Sequence, residues 1–208
     1  MFITFEGPEG SGKTSHIPAL ARLLRKEGFD VLTCREPGGT AIGDQIRTVL
    51  FSMENNEMGA RTETLLFQAA RAQLIDQVIL PHLHKGGVVI SDRYADSTLA
   101  YQGYGRGLDL DLLRIVLEFT TGRLKPDLTI LLDVDVDEGL RRKKQLGEWN
   151  RLDATELAFH QRVRQGYQLL AREEPHRWRI IDAGRCVEQV QEDIGRVVLE
   201  QLKVKRET

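Results

Sequence analysis

The stretch that most restricts how this chain can fold is Gly7-Pro8-Glu9-Gly10-Ser11-Gly12-Lys13-Thr14, a complete G-x-x-x-x-G-K-[ST] element. It follows directly on a strand-like run, Phe2 to Phe5, and opens a helical pattern marked by Leu20, Leu23 and Leu24 that stops at Gly28. Glycines in such a loop let the backbone wrap a phosphate, so that successive N–H groups and the helix N-terminus point at it. Lys13 then brings a cation to the β and γ phosphates of a nucleoside triphosphate, and Thr14 a hydroxyl to Mg²⁺.

Four further apolar runs read as strands: Val31 to Thr33, Val88 to Ser91, Leu128 to Asp133, and Trp178 to Ile181. Helical patterns separate most of them, from about Arg61 toward Lys85 with Pro81 near the end, then Leu110 to Thr121, Val136 to Lys144, Glu156 to Glu173 and Val187 to Val204. Near-continuously apolar strands alternating with helices predict a parallel sheet covered on both faces, with ligands at the carboxyl ends of the strands. At 208 residues one domain, 1–208, is expected, with a basic, Gly-interrupted flap at about 141–153 that includes Arg141-Arg142-Lys143-Lys144 and Arg151.

Hydrophobic content of 41% and charged content of 29% exclude disordered, collagen-like and disulfide-scaffold classes. A formal net charge of -2 offers no bulk cationic field, so neither nucleic acid nor an anionic membrane is expected as a partner. The 29 basic residues divide into 21 Arg and 8 Lys, a bias that suits bidentate grip on phosphate. Cys34 and Cys186 have neither CxxC nor zinc spacing, the five histidines form no metal pattern, and no apolar stretch is long enough for a signal or a membrane span. A cytoplasmic protein is expected.

Other segments bear on the transferred group. Asp92 ends an apolar strand where a Walker B carboxylate would hold Mg²⁺; Asp133 competes, but Val134-Asp135-Val136-Asp137-Glu138 after it reads as a capped helix start. Arg93 emerges next, placed to clamp a phosphate. Thr98, Tyr101 and Gln102 stand at i, i+3 and i+4, which on a helix gives one face of hydroxyl, ring and amide. Phe67 and Arg71 are likewise one turn apart, a ring to stack on a base and a donor for its carbonyl oxygens, although Phe67 alone reads as core. Arg35-Glu36-Pro37-Gly38-Gly39-Thr40 is a turn signal that leads to Arg47 on a short helix.

With Phe5-Glu6 ahead of the phosphate loop, Leu66-Phe67 with Arg71, Asp92-Arg93-Tyr94 with Ala100-Tyr101-Gln102-Gly103, Pro126-Asp127-Leu128 and Arg151-Leu152-Asp153, the chain resembles the thymidylate kinase family. The resemblance is to the bacterial type within the nucleoside monophosphate kinase group. It implies a P-loop three-layer sandwich, a central parallel five-stranded sheet with helices on both faces. It also implies transfer of the γ-phosphoryl of ATP to dTMP, giving dTDP and ADP for dTTP synthesis, with Mg²⁺ as cofactor. A homodimer is implied too, for which the Arg61 to Lys85 helix offers an apolar interface. Carried over residue by residue, Gly7 to Thr14 bind ATP, Thr14 and Asp92 serve the metal, and Glu9 contacts the sugar 3′-hydroxyl. Arg47 and Arg93 hold the monophosphate, Phe67 stacks on thymine, Arg71, Thr98 and Gln102 contact its polar edge and sugar, and Tyr101 helps exclude a 2′-hydroxyl.

The family divides by whether its catalytic arginine lies in the P-loop or in the lid. Pro8, Glu9, Gly10 and Ser11 include no Arg, so the resemblance is to the lid type, with Arg142, Lys144 and Arg151 as candidates. Arg151 is the first choice, with Asp153 holding it when the lid is open. Arg141 matches the residue over the adenine, and Asp182-Ala183-Gly184 the adenine-side loop. Two alternatives stand beside this reading. A deoxynucleoside kinase phosphorylates a hydroxyl and needs a carboxylate base, whereas Arg47 with Arg93 favours an acceptor already bearing phosphate. A GTP-dependent switch needs N-K-x-D after a strand, which the sequence lacks.

Overall fold

The three strands that bury nearly every residue take the inner places of the sheet. In the computed structural model, which describes residues 1–147 and 149–207, β1 (Phe2–Glu6) is buried throughout and β4 (Leu128–Asp133) in all but its last residue. Together with β2 (Val31–Arg35), β3 (Val88–Asp92) and β5 (Trp178–Asp182) they form one parallel sheet in the order β2-β3-β1-β4-β5. The edge strands bury fewer residues, Val31 alone in β2 and Trp178 and Ile181 in β5. A strand with a neighbour on both sides and helices on both faces is shut off from water, so polar side chains such as Thr4, Glu6 and Thr129 are buried and hydrogen-bonded there, whereas an edge strand leaves side chains exposed.

One face is covered by α1 (Lys13–Lys26) and α9 (Val187–Glu207), whose Leu20, Leu24, Val190 and Ile194 pack on Ile3, Phe5, Ile90 and Ile130. The other carries α3 (Ala60–Leu74), α6 (Leu110–Thr121) and α8 (Leu157–Glu173), packed on Phe2, Val89 and Leu131. Three layers result. Between them run α2 (Ala41–Phe51), α4 (Leu80–His84), α5 (Ala95–Thr98) and α7 (Val136–Gln145). No helix among the described residues is long and apolar enough to cross a membrane.

The expected helix from Arg61 to Lys85 is α3 and α4 joined by a π-helical turn, Ile75–Ile79. Pro81 has no N–H to give to the carbonyl four residues back, and it stands in the first turn of α4 just after the wider turn. The segment after α5 is also π-helical, Leu99–Gly105, instead of the regular helix that the spacing of Thr98, Tyr101 and Gln102 predicts. Each of β1, β2, β3 and β5 runs past its apolar stretch to end on a charged residue, Glu6, Arg35, Asp92 and Asp182. Because Phe5 lies beside Asp92 and Glu6 beside Leu131, the loops after β1, β3 and β4 leave one edge of the sheet together.

Candidate active site

A cavity of about 870 Å³ lies at that edge, lined along one side by Glu9 to His16 and along the other by Glu36, Arg47, Phe67, Arg71, Thr98, Tyr101 and Gln102, with Asp92 and Arg93 also on its wall. The loop after β1 takes left-handed backbone angles at Gly10 and Gly12, with φ of 66° and 89°. Space forbids a side chain at Gly10 as well. A Cβ on Gly10 would stand 1.9 Å from the Gly139 carbonyl oxygen, and one on Gly139 would stand 2.2 Å from that of Glu9. The loop is therefore seated backbone to backbone on α7. Lys13 Nζ folds over the loop and donates to the Gly7 and Pro8 carbonyls and to Ser11 Oγ, each at 3.0 Å. Burial, with the charge of Arg93 beside it, pulls the ammonium down to about 8, so a phosphate here meets a cation short of compensation.

Arg93 sits at a left-handed φ of 72°, uncommon for a residue with a side chain. Its Nη2 donates to Glu9 Oε1 at 2.8 Å and to Tyr101 Oη at 3.0 Å, and Tyr101 in turn donates to the same Glu9 oxygen at 2.8 Å. Its Nη1 donates to the Gly7 carbonyl at 3.1 Å and to Tyr167 Oη at 3.0 Å. Burial works to raise the Glu9 carboxyl, but Arg93, Lys13 and Lys143 together take it down to about 2.

Arg71 is only 1% exposed although it lines the cavity. Its Nε and Nη2 grip Glu36 Oε2 at 2.7 and 2.6 Å, Nη1 donates to Gln68 Oε1 and Thr98 Oγ1 at 2.9 Å each, and Nη2 donates to the Tyr94 carbonyl at 2.9 Å. Arg71 is thus not a free donor but the centre of a buried network, and a base contact requires one of these bonds to be exchanged. Arg47 donates to the Pro37 carbonyl at 2.9 Å and lies 4.4 Å from the centre of the Phe51 ring. Phe67 is half-buried on the cavity wall with its ring 6.4 Å from that of Phe51, so it is not the core residue it resembles in isolation.

Thr14 Oγ1 faces Asp92 Oδ2 at 3.5 Å, a hydroxyl and a carboxylate that suit a hard divalent cation sharing its other ligands with phosphate and water. Asp133, the competing carboxylate, is held by Arg164 at 2.8 Å and by Gln168 at 3.1 Å and is not on the cavity wall. Among the described residues no cluster of three or more His, Cys, Asp or Glu forms a metal cage.

In the flap the structure corrects two expectations. Arg151 is not held by Asp153: its Nη2 pairs with Glu63 Oε2 at 2.6 Å and its Nε donates to the Leu50 carbonyl at 3.0 Å, leaving it 7% exposed and off the cavity wall. The buried Glu63 carboxylate, also bound by Gln102 and Arg106, outcompetes the nearer aspartate. Arg141 points outward and pairs with Glu138 at 2.8 Å, while its neighbour Arg142 donates to the Ala183 carbonyl at 2.9 Å and lines the cavity. Consecutive helical residues point about 100° apart, so only one of the two can face Ala183. Lys144 is exposed and off the wall, whereas Lys143, not singled out from the sequence, lines it and lies 3.7 Å from Glu9. Glu148, within the expected flap, lies outside the described residues.

Sequence reasoning also missed Phe51, Glu63, Tyr167 and Gly139. Only Gly139 carried a signal, as an isolated glycine inside a helical pattern.

Comparison with known proteins agrees with this arrangement. The thymidylate kinase family model matches residues 5–194. A thymidylate kinase of Roseiflexus sp. (strain RS-1) is 50% identical over 210 residues, covering 95% of this chain and 93% of its own. One of Thermomicrobium roseum is 50% identical over 203 residues, covering 97% and 96%. The crystal structure of thymidylate kinase from Ehrlichia chaffeensis superimposes with a TM-score of 0.76 at 34% identity, covering 95% of this chain and 98% of that one. With the phosphate loop, the strand-end Asp-Arg pair and the sheet order all in place, the chain belongs to the thymidylate kinase family.

Proposed function

We infer that the protein transfers the γ-phosphoryl group of ATP to the 5′-phosphate of dTMP, giving ADP and dTDP. The observation that carries this reading is the state of the three carboxylates on the cavity wall. Glu9 is paired with Arg93, Glu36 with Arg71, and Asp92 faces Thr14. The two glutamates are each neutralised by an arginine and Asp92 stands at the metal position, whereas a nucleoside acceptor would need an uncommitted base; among the buried carboxylate oxygens of the wall, Glu36 Oε1 is without a hydrogen bond. A monophosphate acceptor is already anionic near neutral pH and needs no base, only alignment and charge neutralisation.

Lys13 and the loop N–H groups hold the β and γ phosphates, Arg93 stands between donor and acceptor, and Arg47 holds the acceptor phosphate. Phe67 supplies the stacking ring, with Arg71, Thr98 and Gln102 along the base edge and Tyr101 and Glu9 at the sugar. Thr14 and Asp92 would hold Mg²⁺, which when bound neutralises charge on the phosphates. ADP release should be fast with dTMP, and slow with thymidine or no acceptor; equal rates with thymidine would favour the nucleoside-kinase alternative.

Of the lid cations, Arg142 is the better candidate for the transferred group, because Arg151 must first leave Glu63. Arg142→Ala is expected to lower kcat about a hundredfold with little change in either KM, a partial arginine-finger loss. Arg151→Ala should instead lower the melting temperature and leave kcat within about threefold. Steady-state kinetics beside thermal melts separate the two.

Two further substitutions test the framework. Arg71→Ala leaves the Glu36 carboxylate buried without its cation, a cost of about 3 to 5 kcal/mol, so the melting temperature should fall by about 10 °C as the dTMP KM rises. Gly139→Ala favours the helix by about 1 kcal/mol, yet its methyl group meets the Glu9 carbonyl. Calorimetric titration should find ATP binding weakened by about a hundredfold with helix content unchanged.

A cytoplasmic homodimer completes the reading. The free thiols Cys34 and Cys186 support the first. An exposed stripe of Leu112, Ile115 and Phe119 on α6, beside α3 with its exposed Leu65, supports the second, and sedimentation analysis tests it.

A further inference from the structure

Directly beneath Arg93 lies a carboxylate that the phosphoryl-transfer scheme does not use. Glu6, the last residue of β1, is 0% exposed and absent from the cavity wall. Its Oε1 accepts the Tyr94 N–H at 2.8 Å, and its Oε2 accepts Ser97 Oγ–H at 2.6 Å and Tyr167 Oη–H at 2.9 Å. Those two hydroxyls are the ones that Arg93 Nη1 reaches, Tyr167 at 3.0 Å and Ser97 at 3.4 Å, and they also lie 2.7 Å from each other, within hydrogen-bond reach. A guanidinium only donates, and each hydroxyl has a single hydrogen. For both oxygens to accept from Nη1, their hydrogens must point elsewhere: one hydroxyl can give its hydrogen to the other, and the second then needs the Glu6 carboxyl behind it, which burial and Asp96 push up to about 7 while Ser97, Arg93 and Tyr167 favour its ionised, accepting form.

The same carboxylate also holds the backbone. Arg93 N–H donates to the Phe5 carbonyl at 2.9 Å, and Tyr94 N–H, the next donor along, goes to Glu6. The left-handed turn at Arg93 is therefore fixed on both sides by the end of β1, the strand that leads into the phosphate loop.

Resting on the reading that Arg93 clamps the transferred phosphoryl group, we propose that Glu6 is the positioning residue for Arg93. It directs the Ser97 and Tyr167 hydrogens away from the guanidinium and closes the turn that carries it.

Glu6→Gln keeps the shape and reverses the polarity. Tyr94 N–H still requires the side-chain carbonyl, so the amide NH₂ falls where Oε2 stood and donates to the two hydroxyls; one of these can still give its hydrogen to the other, and the remaining hydrogen turns toward Nη1. The expected result is a kcat about tenfold lower or worse, with the ATP KM within about twofold. The decisive comparison is a double-mutant cycle with Arg93→Lys: Glu6→Gln should cost about tenfold with Arg93 present and no more than about twofold without it. A structural role would cost the same factor in both backgrounds and would overturn the proposal. So would an unchanged kcat in Glu6→Gln beside an impaired Arg93→Lys, which leaves the role of Arg93 intact. Wild-type kcat in Arg93→Lys would overturn both. If Glu6→Gln does not fold, the Ser97→Ala, Tyr167→Phe pair removes the intermediaries instead, and its loss must again vanish in the Arg93→Lys background; an additive loss contradicts the proposal.

Discussion

Replacing Lys13 by alanine is expected to lower kcat about a thousandfold while the protein stays folded. The ammonium stands over the Gly7 and Pro8 carbonyls and Ser11, so alanine removes polar contacts within the loop. Burial draws it down to about 8, which leaves it charged at neutral pH, and its interaction grows as negative charge gathers on the bridging and γ oxygens. A charge that matters most in the transition state shows in kcat more than in affinity. Circular dichroism and a thermal melt beside the rate would establish that the loss is chemical, and near-normal turnover in a folded variant would contradict the role.

Arg93→Ala is expected to fall as far, about a thousandfold in kcat/KM for dTMP, since several charge-bearing donors go at once. The substitution also removes the nearest partner of Glu9 and strips Tyr101 and Tyr167 of a donor. Glu9, then facing only Lys13 and Lys143, should titrate closer to the ordinary carboxylate range. The dTMP kcat/KM should therefore fall more steeply than the ATP KM rises, and equal damage to both substrates would mean that Arg93 serves the fold of the loops and not the reacting groups.

The parts of this site that are readable in the sequence are those whose physics is local. A phosphate loop needs its glycines and its lysine at fixed offsets, so Gly7 to Thr14 are legible without the fold. The five strands are legible because a parallel sheet buried on both faces demands unbroken apolar runs. Three of their ends are not, since Glu6, Arg35 and Asp182 interrupt the apolar pattern at the carboxyl edge where ligands bind. Glu63 is a surface-like letter in a helix whose burial arises only when Gln102 and Arg106 from one other segment and Arg151 from a second converge on it. Arg141 and Arg142 are indistinguishable until the helix phase relative to Ala183 is fixed. Gly139 and the phosphate loop meet across about 130 residues of chain, a contact that no local pattern encodes.

The central claim is direct transfer between two nucleotides held in one cavity, and tracing the transferred phosphorus tests it most directly. With ATP labelled at the γ position and dTMP as acceptor, the label should appear on the terminal phosphate of dTDP, one equivalent for each ADP formed. Label released as inorganic phosphate, or carried to thymidine in preference to dTMP, would contradict the account.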